Sequence, residues 1–290
     1  MNETRKTIRK LRNEQYSYNI NLYPYINNWK KNPYTFIKAK FYMETSAILV
    51  WLLLKTNIKP NSVTVLYGLA GILTGILLSI PNNIAIIIGL AIAFSKGILD
   101  WIDGHFARIT EQTSLTGHIL DIYGAHLNSL GLQSGLGMYV AYRADTLLFY
   151  YLVPLLLFFR AGSIIRYSKA ILFEEISSEN NVSLFQDNDS QGKNQDNINI
   201  NSLERLYSKY KNLFIGFLDD RARSVDLICL IILLEIVFPI NISWIFFLLI
   251  VVKYFIIFVA SIYIIGKGGW VENEMMNKLR VLNDVFQKKQ

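Results

Sequence analysis

Long apolar runs separated by short polar connections give the chain its first division. The runs at 62–80, 83–104, 113–140, 146–172, 223–240 and 243–265 can each cross a hydrocarbon core of about 30 Å, which takes roughly 20 helical residues. This pattern predicts an all-α polytopic membrane protein, a bundle of six transmembrane helices. A shorter run, Phe41 to Leu54, carries Glu44 and is closed off by Lys55, Lys59 and Pro60. It is expected as an N-terminal juxtamembrane helix at the interface, since a true span there would reverse the topology of everything after it. Lys59-Pro60-Asn61-Ser62 reads as a turn and cap that open the first span. The third run differs from the rest, because Gly117, Gly124, Gly131, Gly135 and Gly137 alternate with Tyr123, Asn128 and Gln133. Such a helix suits tight packing inside a bundle better than contact with lipid. Gly131 and Gly135 form a GxxxG pair, compatible with packing inside the chain or with a homodimer.

Outside the runs the pattern weakens. Residues 1–34 are polar and rich in Asn and Tyr without clear periodicity, so no firm structure is expected there. Ser177 to Ser202 is an Asn/Asp/Ser/Gln stretch expected as a flexible cytoplasmic loop. After it, Leu203, Leu206, Tyr207, Tyr210, Leu213, Phe214 and Phe217 share one helical face, the mark of an amphipathic interfacial helix or of a helix that docks a partner. The expected organisation is a basic N-terminal segment (1–34), the juxtamembrane helix with spans one to four (35–175), a cytoplasmic loop with its amphipathic helix (176–220), spans five and six (221–266) and a C-terminal tail (267–290).

Composition and charge add orientation. Of the 290 residues, 52% are hydrophobic, and the mean hydropathy is +0.29 despite the polar stretches, a membrane profile. Residues 1–40 hold Arg5, Lys6, Arg9, Lys10, Arg12, Lys30, Lys31, Lys38 and Lys40 against Glu3 and Glu14, a balance of +7 equal to that of the whole chain. The connections near 81, 142 and 241 carry only Arg143, whereas the other loops and the C-terminus are rich in Lys and Arg. Both termini are therefore expected in the cytoplasm and the protein in the cell membrane. The basic segment has no accompanying nucleic-acid motif, so membrane lipids rather than nucleic acids are its expected partners. No apolar stretch follows it promptly, so no signal peptide is expected. The single cysteine, Cys229, excludes an intrachain disulfide and a cysteine-based zinc site.

Acids stand where the second run ends. Asp100, Asp103 and Asp121 fall within twenty-two residues, with Arg108 among them and Lys96 one turn before Asp100. A carboxylate near hydrocarbon costs several kcal/mol unless paired, so acids in such a place indicate function. Helical spacing puts Asp100 and Asp103 on one face about 5–6 Å apart, close enough to share a divalent ion. Gly104 and Ala107 leave a notch beside them, open to phosphates or a flat base. Two further arginines, Arg160 and Arg166 in the fourth run, could bind an anionic acceptor or phosphate, or reach to lipid headgroups.

In order, Asp100, Asp103, Gly104, Ala107, Arg108, Gly117 and Asp121 resemble the signature of the CDP-alcohol phosphotransferase (CDP-alcohol phosphatidyltransferase) family, D-x2-D-G-x2-A-R-x8-G-x3-D-x3-D, at seven of eight fixed positions. The resemblance implies a transferase that moves a substituted phosphate or phosphonate from a CDP-linked alcohol donor to a hydroxyl acceptor, a lipid or a glycan, and releases CMP. It implies that Asp100, Asp103 and Asp121 ligate metal, two Mg2+ or Mn2+ ions. It implies further that Asn61, Thr64, Gly104, Ala107, Arg108 and Gly117 bind the nucleotide. The last fixed position, a metal ligand and base in the family pattern, is Ala125 here, with His126 beside it as the candidate base. At about 100° per helical residue His126 points roughly 140° from Asp121, whereas the missing acid would stand at about 40°. A homologue that binds CDP-donor or lipid without turnover, or a membrane carrier, are the alternative readings.

Overall fold

The structure, a computed structural model, describes residues 2–22, 33–162 and 222–266. Among these residues it is helical and contains no strand. The described helices are α1 (Asn2–Leu22), α2 (Pro33–Leu53), α3 (Pro60–Leu78), α4 (Asn83–Ile109), α5 (Leu115–Ala144), α6 (Leu147–Ala161), α7 (Ala222–Val237) and α8 (Ser243–Gly266). The Ser177 to Ser202 stretch, the amphipathic face from Leu203 to Phe217, Arg166 and the tail from 267 lie outside the described residues.

Local chemistry explains where the helices begin. Pro60 opens α3 in its first turn, where a missing N–H costs nothing. Asn82 caps α4 by accepting from the amides of Ile84 and Ala85, and Ser114 caps α5 by accepting from Gly117 N at 3.0 Å. The turn between α4 and α5 passes through Glu111 at φ 55°, a left-handed conformation that a non-glycine residue seldom adopts.

Three described helices have the length and apolarity to cross a membrane: Pro60–Leu78, Asn83–Ile109 and Ser243–Tyr263. α6 is apolar but shorter, Leu147–Ala161. Their outward faces carry Val65, Leu66, Leu69, Ile72 and Ile76 on α3 and Phe255, Ile256, Val259 and Ile262 on α8, all exposed. A continuous apolar exterior of that kind belongs in lipid. α5 runs for 30 residues but is diluted by glycines and polar side chains, as its sequence foretells.

The glycines of α5 are where it meets α3. A Cβ on Gly131 would lie 1.9 Å from the Gly71 carbonyl oxygen, and one on Gly71 would lie 2.3 Å from Asn128 Cα. The backbones therefore touch, and Asn128 Nδ2 bonds across the seam to the Tyr67 carbonyl at 2.6 Å and to Gly124 O at 3.0 Å. The GxxxG pair thus serves packing within the chain, since Gly135 also approaches Gly75.

Two larger apolar clusters result, beside the small Ala39–Met43 pair. One joins α3 to α8 through Leu78, Ile86, Leu90, Leu136, Val140, Leu156, Ile232 and Phe247. The other, at the far end of α4, gathers Leu11, Ala47, Val50, Val63, Ile102 and Phe106 from α1 to α4. Cys229 is buried in α7 and free. Glu235, 1% exposed, accepts from the Ile242 and Ser243 amides and closes the turn between α7 and α8.

Two sequence expectations need correction. Residues 2–22 form a helix rather than an unstructured tail, because Leu11, Gln15 and Asn19, four residues apart, share a buried face although two of them are polar. The juxtamembrane helix begins at Pro33, eight residues before Phe41, and buries Ala39, Tyr42, Met43, Ser46, Ala47 and Val50. Tyr42 packs where Gly97 of α4 has no side chain, and Lys38 pairs with Asp226 of α7.

Candidate functional site

The acids lie on α4 and α5 beside the short turn that joins these helices. Asp103 is 5% exposed. Its Oδ1 accepts from Gly104 N at 2.6 Å, while its buried Oδ2 makes no well-formed hydrogen bond, with the Thr64 hydroxyl close to the carboxylate. Asp100, one turn earlier, is exposed and acts electrostatically with Lys96 on its own helix and with Asp121 on α5. Asp121 acts on Asp103 as well, so the three carboxylates form one field of like charge. Hard oxygen donors of this kind suit Mg2+ or Mn2+, and an orphaned carboxylate oxygen is what such an ion would satisfy. Among the described residues, however, no three His, Cys, Asp or Glu side chains converge as a ready metal-ligating group.

The start of α3 supplies the opposite wall. Asn61, Thr64 and Tyr67 recur every three residues on one face. Thr64, 4% exposed, is within reach of Asp103, and Tyr67, 1% exposed, reaches towards Asp100. Asn61 Oδ1 lies where a Cβ on Gly117 would be 3.1 Å away. Gly124 matters in the same way, since a Cβ there would come within 2.8 Å of the Tyr67 ring. Glycine at 117 and 124 is what lets α5 lie close to this face.

Arg108 ends the acidic stretch. Its Nη1 lies 3.3 Å from where a Gly104 Cβ would stand, so the expected notch at Gly104 is partly filled by this guanidinium. Nη2 donates to Gln15 Oε1 at 2.6 Å, and the Tyr18 ring lies 3.8 Å from the guanidinium carbon. Both partners come from α1. His105, 0% exposed, sits beneath the same helix against the Leu11 backbone.

His126 and Arg160 make a separate polar group on the side of α5 facing α6 and α8. Arg160 is 2% exposed, donates to Gln133 Oε1 and stands 5.1 Å from the Tyr254 ring. His126 Nδ1 is 3.4 Å from Arg160 Nη2. Arginine is only a donor, so a hydrogen bond in this contact requires Nδ1 as the acceptor.

The structure thus brings Asn61, Thr64, Asp100, Asp103, Gly104, Arg108, Gly117 and Asp121 to one end of the α3–α4–α5 layer, with Ala107 half-buried on the same stretch of α4. Tyr67, Gln15 and Tyr18 are additions. The first was legible as the next step of the Asn61–Thr64 face, whereas nothing in the sequence of α1 pointed to the other two.

Residues 57–123 match the profile of the CDP-alcohol phosphatidyltransferase family. The matched segment spans α3, α4 and the first turns of α5, under a quarter of the chain, and ends before Ala125. The chain matches no curated protein and no solved structure.

Proposed function

We propose that the chain is a membrane transferase that moves a substituted phosphate or phosphonate group from a CDP-linked alcohol donor to a hydroxyl acceptor on a lipid or glycan, with release of CMP. The observation that carries this reading is the coincidence of the family match over 57–123 with a buried, incompletely bonded carboxylate, Asp103, facing a second carboxylate-bearing helix. By the positive-inside pattern this end of the bundle faces the cytoplasm, where CDP-linked donors present their nucleotide.

Asp100, Asp103 and Asp121 would hold two Mg2+ or Mn2+ ions, drawn somewhat closer together than they stand. Ions so held would neutralise the diphosphate and stabilise charge on the attacking and departing oxygens. Asn61, Thr64, Gly104, Ala107, Arg108 and Gly117 form the nucleotide pocket: the glycines admit the ligand to the backbone, and Arg108 offers a planar fork of donors to phosphate. Arg160, with Arg166, serves the acceptor or its phosphate.

His126, which stands beside Arg160 apart from the acids, would serve as base for the acceptor hydroxyl in the absence of the fourth acid. With Nδ1 turned to Arg160, that role requires the contact to open when the acceptor binds. Losing a general base lowers rate by about 10² to 10⁴. The test uses protein purified in detergent, Mg2+ or Mn2+, and a panel of CDP-linked donors and acceptors, with CMP release as the readout. CMP release is expected. His126→Gln should slow it and remove the low-pH limb of the profile, because a base must first lose its proton. An unchanged profile rules the base role out. CDP-donor binding without CMP release across the panel would support a binding protein without turnover, and solute movement into liposomes without nucleotide cleavage would support a carrier.

A further inference from the structure

We infer that α1 belongs to the nucleotide site, with Gln15 and Tyr18 as positioning residues that fix the Arg108 guanidinium for the diphosphate of the bound nucleotide. The inference rests on the CDP reading of the site and adds to it a part of the chain outside the family match.

Gln15 is 3% exposed. A glutamine amide so deeply placed is costly unless its polar atoms are used, and its Oε1 is used on Arg108 Nη2 at 2.6 Å. Tyr18, 38% exposed, covers the guanidinium, with ring and cation 3.8 Å apart. Gly104 supplies the space on the helix's own side, since a Cβ there would stand 3.3 Å from Nη1. The cation is therefore gripped at an edge and on a face. This matters for arginine, because its donors are fixed in one plane and the orientation of the plane decides which N–H groups can meet a phosphate.

The clamp has its own foundation. Leu11, one turn before Gln15, is buried in the cluster of Ala47, Val50, Val63, Ile102 and Phe106. Arg12 pairs with Glu44 of α2 at 3.1 Å, and Tyr16 packs against the Ala39 and Met43 pair together with Trp101 of α4. Supported from behind, Gln15 and Tyr18 hold Arg108 in place before any ligand arrives, which lowers the ordering cost of binding. Asp103 lies within electrostatic range of the same guanidinium, so its placement also affects the acidic group.

The test is CDP binding by the full chain in detergent with Mg2+, measured by calorimetry. Gln15→Leu and Tyr18→Leu are each expected to weaken CDP binding about tenfold, the scale of a lost charge-assisted hydrogen bond or cation–ring contact. Gln15→Glu keeps an acceptor and Tyr18→Phe keeps the ring, so both should stay within a few-fold of the unsubstituted protein. On an Arg108→Ala background neither leucine variant should lower the remaining binding further. Tyr18→Leu carries the test if Gln15→Leu does not fold, because Tyr18 is largely outside the packed interior.

Unchanged CDP affinity in both leucine variants, beside a loss in Arg108→Ala, overturns the clamp and leaves the site reading intact. Equal weakening on both backgrounds shows a general loosening of the fold and also overturns it. Absence of CDP binding by the unsubstituted protein overturns the site reading and the clamp with it.

Discussion

The two ends of α4 are built on opposite rules. Towards its start, Ile86, Leu90 and Ala93 pack into the apolar cluster that reaches α8, and the buried acid of that region, Glu235, leaves Oε2 unbonded but ties down the α7–α8 turn by accepting two backbone amides at Oε1. Towards its finish, Asp103 likewise has one bonded and one unbonded oxygen, but it faces other carboxylates across to α5 rather than a pair of backbone amides. One helix therefore serves assembly at one end and carries an unfavourable charge arrangement at the other. Burying an incompletely bonded carboxylate works against folding, and proteins keep such features where function requires them. The difference teaches that stability and activity should respond separately to substitutions at the two ends.

The strongest way to break that comparison is Asp103→Asn. Transfer should fall on the order of 10³-fold, the scale of losing a key electrostatic group in a reacting site. The melting temperature in detergent should stay the same or rise, because a buried charge has been removed. Activity and stability falling together would show that Asp103 is structural, and the contrast between the ends would disappear.

Gly131→Leu tests the packing itself. With no room beyond Gly71 O, the larger side chain must push α3 and α5 apart at a cost of about 1–3 kcal/mol, read as an earlier midpoint in denaturant titration of the detergent-solubilised protein. Wild-type stability would contradict the close approach of the two backbones. The smallest effect is expected from Gly117→Ala, whose added methyl meets Asn61 Oδ1 at 3.1 Å. It should weaken CDP binding a few-fold while changing stability by less than about 0.5 kcal/mol; unaltered affinity would remove Asn61 and Gly117 from the pocket.

Legibility in the sequence followed the same divide. α3 and α4 could be read because uninterrupted apolar runs leave few alternatives, and the acids because their spacing survives any uncertainty about helix ends. α4 continues to Ile109, five residues past the expected end at 104, since Asp100, Asp103 and Arg108 face partners on α1, α3 and α5 rather than lipid. α1 was hard to read for a physical reason: its apolar period, present at Ile8 and Leu11, is interrupted because the buried stripe continues through the polar Gln15 and Asn19. Gln15 and Tyr18 were hidden with it. The position of Ala125 falls beyond the family match, which leaves the replacement of the fourth acid to the His126 experiment.

The pairing of Lys38 with Asp226 also sets a clock on synthesis. The two residues are 188 positions apart, and at 5–20 residues per second the aspartate is made on the order of 10–40 s after the lysine. α2 thus emerges long before the carboxylate that completes its docking face, and must be held in the meantime by its other contacts. A ribosome-bound chain halted before Asp226 is a natural object in which to watch that waiting state.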